Sequence, residues 1–562
     1  MRRLLLPIFA LVTAACTGPV APPSTTPPQP GPAVPAPIVA PPTAGPEALE
    51  IQGTVREEWL PLLKAPVLDP AKAQLTAAPP GLAALPASCD AFVNRKGAGA
   101  APACADKAAG LAALDGAMSE TDAAKRDARL LDLEGCAGLP AGVARALRAE
   151  LAPIECGEAI VAKTLAAPPA GLDGNVYHAL LGLSIASRFA RAAQSPPVLA
   201  APFTRPRVIE FTSGPMKAWF SEQASAIEAI SVAAKELSYY GKAILAIEAG
   251  TAEMRLVEIV RNAPIPAELD RDLELKNQYY ATLDQGLDPR KNRGRDAALV
   301  GLREMALVGA IHDARVDRAR GLLARLYGGR RIDALDALLL PALPPATPAN
   351  AEERLAGKLP TFYTGLLLDP AAASRPGTMR MLLERGIPLG HRNALKTATL
   401  TADARGLFAR ARLELGRLYW RAVDFDQAAQ LAAAWPAGAA RPDDATFTLA
   451  LALALRNGPD DAAELMHKAP LQLTAIGKIQ GLDFVAQQTP PGPDAGFAAF
   501  DAAVIHQLAA PEGARAAYWK EIADRFHRAA SLLTDPARKA AAEERARSAT
   551  ELAAAVDNRP GS

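Results

Sequence analysis

Along most of the chain, apolar residues recur every three or four positions instead of alternating, which is the period of an amphipathic helix. The clearest run has Met216, Trp219, Phe220, Ile227, Ile230, Ala234 and Leu237 on one face, with Lys217, Ser221, Glu228 and Lys235 opposite. Such a stripe predicts a helix packed on a core. Further helices are predicted at about 241–261, 267–285, 294–309 and 312–327. Trp519, Ile522, Phe526 and Leu533 predict one more, followed by a charged helix over 537–556. Before position 200 the pattern is one of short helices broken by turns such as Ala78-Pro79-Pro80-Gly81 and Ala167-Pro168-Pro169-Ala170. Residues 208–212 suggest a short strand, but one strand cannot make a sheet.

Composition strengthens the helical reading. Alanine is about a fifth of the chain and leucine is abundant, and these two head the helix-propensity scale. Aromatics are 5%, so the aromatic enrichment typical of strands is missing. The fold class predicted is all-α. A chain of 562 residues exceeds one core and implies roughly two to four domains or a repeat array. Pro341, Pro344, Pro345 and Pro348 mark one boundary, giving helical regions at 48–204, 205–345 and 346–562. The formal charge of +1 argues against nucleic acid as a main partner.

The N-terminus carries the most specific signal. Arg2 and Arg3 precede an apolar stretch over residues 4–12, too short for a bilayer span of ~20 residues. Thr13, Ala14 and Ala15 then lead into Cys16, the order of a secretory signal. This Thr-Ala-Ala-Cys resembles the lipobox of bacterial lipoproteins. The resemblance implies removal of the signal peptide 1–15, acylation of the Cys16 thiol and acylation of the new N-terminus. Several acyl chains on one residue hold a protein stably, where one gives only marginal binding. Thr17 in place of Asp implies the outer membrane. Residues 17–46 hold twelve prolines and no charge, so 16–47 is expected to be a disordered tether. At ~3 Å per residue it would reach roughly 90 Å from the lipid.

The remaining cysteines, Cys89, Cys104, Cys136 and Cys156, cluster in one window. An even number in an exported chain implies two disulfides. Zinc would need close pairs such as C-x2-C, which are absent. A sequential pairing closes short loops. A nested pairing is also physical, because Cys104 opens one predicted helix and Cys136 closes the next. The sequence leaves the connectivity open.

A second resemblance lies in residues 409–442, where Leu415, Gly416, Tyr419, Asp424-Phe425-Asp426 and Ala428 stand at the spacing of a tetratricopeptide repeat. Residues 443–476 repeat the pattern with Leu449, Ala450, Leu453 and Ala462. The small Gly416 and Ala428 would let two antiparallel helices approach, while Leu415 and Tyr419 fill the space between them. The resemblance implies helical hairpins stacked as an α-solenoid, capped by the charged C-terminal helix. It also implies a concave groove lined in the first unit by Arg410, Leu413, Arg417, Trp420 and Arg421, and in the second by Phe447 and Leu451. Three arginines around a tryptophan could grip an acidic segment or a terminal carboxylate, since guanidinium pairs bidentately with carboxylate. The family's carboxylate clamp is not met, because Glu414 stands where it has Asn.

Other candidate chemistry is sparse. Arg290, Lys291, Arg293 and Arg295 are placed before a helix start, and Gly328-Gly329-Arg330-Arg331 after a helix end. Arginines before a helix N-terminus can hold an anion, but such runs more often pair with nearby carboxylates such as Asp296, Asp333 and Asp336. No G-x-S-x-G, H-E-x-x-H, Walker loop, G-x-G-x-x-G after a strand, or EF-hand loop occurs. The six histidines are scattered, and His312-Asp313 is assigned to a helix start. No cofactor, metal or catalytic residue is predicted, nor is a peptidoglycan-binding signature present. The sequence points to a lipid-anchored envelope adaptor whose helical repeats recruit an envelope protein or peptide. The alternative is an envelope enzyme or ligand carrier with its site in 205–345.

Overall fold

The computed structural model describes residues 77–99, 104–233, 237, 239–327, 335–341, 346–369, 371, 375–388, 400–419, 421–433, 443–456 and 479–558. Cys16, the signal segment, the tether, Gly328-Gly329-Arg330-Arg331, Trp420 and Ala462 lie outside these residues.

The chain is built from helices, as its period predicts. In the N-terminal part α1 (Lys107–Met118) and α2 (Ala123–Asp132) are opened by Asp106 and Asp122, whose carboxylates accept from Ala109 N and Lys125 N. Then come α3 (Val143–Leu151), α4 (Gly157–Ala166) and α5 (Gly174–Arg191). The disulfides are nested, Cys89–Cys156 outside Cys104–Cys136, with Cα–Cα distances of 5.2 and 5.4 Å. The α1–α2 hairpin brings the inner pair together, and Gly138 N donates to Cys104 O at 3.0 Å beside it. Arg148 of α3 ties the same end down by donating to Asp127 (2.8 Å) and Glu134 (2.7 Å).

Next come α6 (Arg205–Ser213) and α7 (Pro215–Ala233). The suggested strand at 208–212 is therefore a turn and a half of α6. Pro206 sits in its first turn, where a missing N–H costs nothing, and Val208, Phe211 and Thr212 are buried along one side. On α7 the predicted face holds: Met216, Phe220, Ile227 and Ile230 are buried.

The centre of the molecule is α5 crossing α8 (Tyr239–Arg261). Every α5 residue from 176 to 191 is buried, so this helix has no solvent face. The two helices approach at Gly182 and Gly241. A Cβ added at Gly241 would lie 2.0 Å from the His178 carbonyl oxygen. The opposite side of α8 meets α9 (Leu273–Val308) at Gly250 and Gly294.

Two helices had been expected where α9 runs on through Pro289. Proline disfavours a helix interior, but tertiary contacts just after it hold the helix. Arg290 (2.9 Å) and Arg293 (3.1 Å) both donate to Glu253 of α8. Gly309, at φ 80°, ends α9, and Asp313 opens α10 (Ala314–Tyr327) by accepting from Arg315 N at 2.8 Å. Next are α11 (Ala351–Lys358), α12 (Thr361–Leu367) and α13 (Pro376–Arg385). Arg354 of α11 reaches back to Asp115 of α1 at 2.8 Å.

From there α14 (Ala402–Tyr419), α15 (Ala422–Ala433), α16 (Asp443–Leu455), α17 (Gln480–Gln487), α18 (Ala495–Leu508), α19 (Ala516–Leu532) and α20 (Pro536–Asp557) each pack on the next. Gly416 allows the α14–α15 approach, since a Cβ there would stand 2.6 Å from the Phe425 ring. On α20, Ala542, Ala546, Ala549 and Ala553 are buried, one per helical turn. The buried apolar core is continuous from Cys89 to Ala549 and crosses positions 204–205 and 345–346, where the sequence placed boundaries.

Candidate functional site: a groove over α14 and α18

On α14 the residues Arg410, Glu414 and Arg417 fall on successive turns of one face. Residues 335–341 lie across this face, with Leu335, Leu338 and Pro341 buried. The helix holds their main chain. Arg417 Nη1 donates to the carbonyl of Asp336 at 3.1 Å and to that of Leu338 at 3.4 Å. Arg410 Nε donates to the carbonyl of Pro341 at 2.8 Å. From α18, Asp501 accepts from Leu339 N at 2.8 Å. Arg320 of α10 pairs with the Asp336 carboxylate and also donates to Leu418 O. Side chains from two helices thus satisfy the backbone of a segment that is irregular from Leu338 to Pro341, and a third helix pairs with its Asp336 carboxylate. A buried backbone without helix or sheet partners requires this kind of pairing.

The groove is strongly desolvated. Asp501 is fully buried, and burial holds its carboxyl well above the ordinary range despite the Leu339 N–H and the Arg417 charge. Glu414 is also buried and accepts from Arg417 Nη2 at 2.6 Å. Three polar atoms here have no hydrogen-bond partner among the described residues: Asp501 Oδ2, Glu414 Oε2 and Arg417 Nε. A buried unsatisfied polar atom costs about 1–3 kcal/mol. Residues 335–341 therefore meet only part of the groove's hydrogen-bonding capacity.

Of the five groove residues predicted from the sequence, Arg410 and Arg417 line this face. Leu413 does not: it is fully buried in the core, and Glu414 takes the place next to the segment. A seven-residue helical spacing of 410, 414 and 417 decides this geometrically. Arg421 is turned away, toward Ala306 O (3.5 Å) and Asp424 (3.5 Å). Phe447 and Leu451 are likewise core residues on α16, because that helix is packed between its neighbours. Asp424 does more than open a turn. It accepts from Arg412 at 2.7 Å in a pair fully shielded from solvent. Asp501 was missed; its signal was a lone carboxylate inside the apolar run of α18.

The basic cluster of the middle region is consumed by internal pairing. Besides Arg290 and Arg293 on Glu253, Lys291 meets Asp284 and Asp288 at 3.3 Å, and Arg295 meets Asp296 at 2.7 Å. The other buried carboxylates there, Glu248 and Glu304, pair with Arg318 and Lys242. One buried polar network joins distant parts of the chain. Glu150 pairs with Arg315 and accepts from Tyr363 Oη at 3.1 Å, and Arg315 donates to Tyr240 Oη at 3.2 Å. Desolvation and the Glu150 charge push both tyrosine hydroxyls up. Among the described residues no three His, Cys, Asp or Glu side chains converge as a metal site, and no helix is long and apolar enough to cross a membrane.

Comparison with protein-family models, curated proteins and solved structures gives no match to this chain.

Proposed function

We propose that this chain is a lipid-anchored envelope adaptor that holds a partner protein through the groove over α14 and α18. Acylated Cys16 would fix it to the outer membrane, and the proline-rich 16–47 tether would carry the helical body away from the lipid. The C-terminal helices would act as a tetratricopeptide-like solenoid. The observation that carries the reading is the grip of Arg410, Arg417 and Asp501 on the main chain of a segment that is irregular from Leu338 to Pro341. A surface that pairs with backbone is suited to an extended stretch of polypeptide.

The test is site-specific photocrosslinking in the native membrane, with the probe placed on α14 beside Arg417. The expected result is an adduct with an envelope protein that is lost in Arg417→Glu. A probe that yields no envelope adduct overturns the adaptor reading. The anchor is tested separately: Cys16→Ala should move the protein to the soluble fraction, and its retention in the membrane overturns that part.

A further inference from the structure

The groove is already occupied, by the chain itself. Residues 335–341 read Leu-Asp-Ala-Leu-Leu-Leu-Pro. Leu335 and Leu338 are buried, the Asp336 carboxylate goes to Arg320, and the three main-chain carbonyls of Asp336, Leu338 and Pro341 go to arginines of α14. Most of this recognition is of backbone, so another polypeptide of the same shape can reproduce it. The closing proline contributes a carbonyl and no N–H, which matches a groove wall that offers Arg410 as a donor at that point.

The occupancy is also incomplete. Asp501 is fully buried, yet only its Oδ1 is used, and Glu414 Oε2 and Arg417 Nε on the same face have no partner among the described residues. Glu414 Oε2 offers an acceptor, Arg417 Nε a donor and the neutral Asp501 carboxyl a hydroxyl to a ligand that can reach them. Unpaired buried atoms such as Ser184 Oγ and Thr378 Oγ1 also occur elsewhere, and what marks the groove is that three of them converge beside one segment held by its backbone.

We propose that residues 335–341 are an intramolecular stand-in for the partner, which is a segment of another protein of the same chemistry: irregular, aliphatic, and closed by proline. The partner binds by displacing residues 335–341. This rests on the groove being the partner site. Because the chain's own segment is covalently attached, it competes at an effective concentration in the millimolar range. A partner segment wins by pairing with Asp501, Glu414 and Arg417 more completely. The internal segment thereby sets a threshold that excludes weak apolar peptides.

The probe is a fluorescent, C-terminally amidated peptide of residues 335–341, added to the full-length lipidated chain in detergent. In the double variant Leu335→Ser/Leu338→Ser, whose own segment no longer fills the groove, the peptide should bind at least tenfold more tightly than to the unaltered chain. Adding Arg417→Ala should remove most of that gain. Equal affinity for the unaltered and double-variant chains overturns the proposal, as does no binding to a double variant that retains helicity and cooperative unfolding. If the double variant does not fold, Leu338→Ala and hydrogen exchange on the unaltered chain decide. Millimolar peptide should then raise exchange at residues 338–340 selectively, and unchanged protection overturns the proposal. Peptide displacement without any envelope crosslink would sink the adaptor reading, and with it the partner named here, while showing that residues 335–341 are displaceable. A crosslinked partner that leaves exchange at 338–340 unchanged would do the reverse.

Discussion

The carboxylate of Asp501 accepts a hydrogen bond from the main-chain N–H of Leu339 at 2.8 Å, across 162 residues of sequence. This one contact joins α18 to the segment that lies over α14. Since burial keeps the Asp501 carboxyl well above its ordinary range, an amide is a closer mimic of it than an ionised acid would be. Asp501→Asn is therefore expected to be nearly silent in stability. Asp501→Ala leaves the Leu339 N–H without an acceptor and should cost about 1–3 kcal/mol in denaturant unfolding. Equal effects of the two substitutions would show that the hydrogen bond does not hold the segment.

The glycine contacts predict a graded response. At Gly241 a Cβ meets backbone, the His178 carbonyl oxygen at 2.0 Å, whereas at Gly416 it meets the Phe425 ring at 2.6 Å. A ring can shift by rotation, but a helix backbone held by its own hydrogen bonds cannot move locally. Gly241→Ala should destabilise by more than the roughly 1–3 kcal/mol typical of overpacking, and Gly416→Ala by an amount within that range. Thermal unfolding of the two variants side by side checks the order.

The buried Glu150 is the shared partner of Arg315 and Tyr363. Removing it in Glu150→Ala strands a buried guanidinium and should cost about 3–5 kcal/mol. Tyr363→Phe removes one hydrogen bond and should cost about 1 kcal/mol. A double-mutant cycle measures their coupling, which should be large because both act through the same carboxylate.

Nested disulfides make a prediction about loop size. Cys89–Cys156 closes 67 residues and Cys104–Cys136 closes 32. With chain entropy as the main term, each bridge alone stabilises by about 4 kcal/mol, the longer loop slightly more. Serine pairs at each bridge, compared by denaturant unfolding under non-reducing conditions, should both destabilise. If Cys89→Ser/Cys156→Ser has no effect, this entropic account fails.

Asp494 ties stability to pH. Burial, together with Asp444 and Asp443 on α16, raises its carboxyl to about 6. A raised acid favours folding when protonated. Its contribution is complete below the unfolded value of 3.8 and is lost as pH rises through about 6. Asp494→Asn should flatten the stability profile between these limits and raise stability at neutral pH by up to about 3 kcal/mol. Asp494 makes no side-chain cap bond to α18, so no cap is lost. An unchanged slope in that window would refute the assignment.

Local features were legible from the residues. The 3.6 period of Met216, Phe220, Ile227 and Ile230 set the buried face of α7, and the packing reason for Gly416 holds in the approach of Phe425. The expected end of a helix near Pro289 failed for a tertiary reason. Arg290, Arg293 and Gly294, all just beyond the proline, are fastened to α8. The groove was half legible. Arg410 and Arg417 were marked by the resemblance to a tetratricopeptide repeat, but Leu413 was placed on the wrong side of α14, and Asp501 lies 84 residues beyond Arg417 with nothing local to connect them.

By itself, then, the sequence determined the helical class, most helix positions and the even set of four clustered cysteines, because period, propensity and composition act within a few residues. Only the tertiary structure decided which cysteines pair, that α9 is one helix, and that the arginines of α14 hold the chain's own residues 335–341. Those outcomes depend on contacts between positions tens to hundreds of residues apart. Such contacts are chosen by the joint packing of the whole core, and no local pattern encodes that choice.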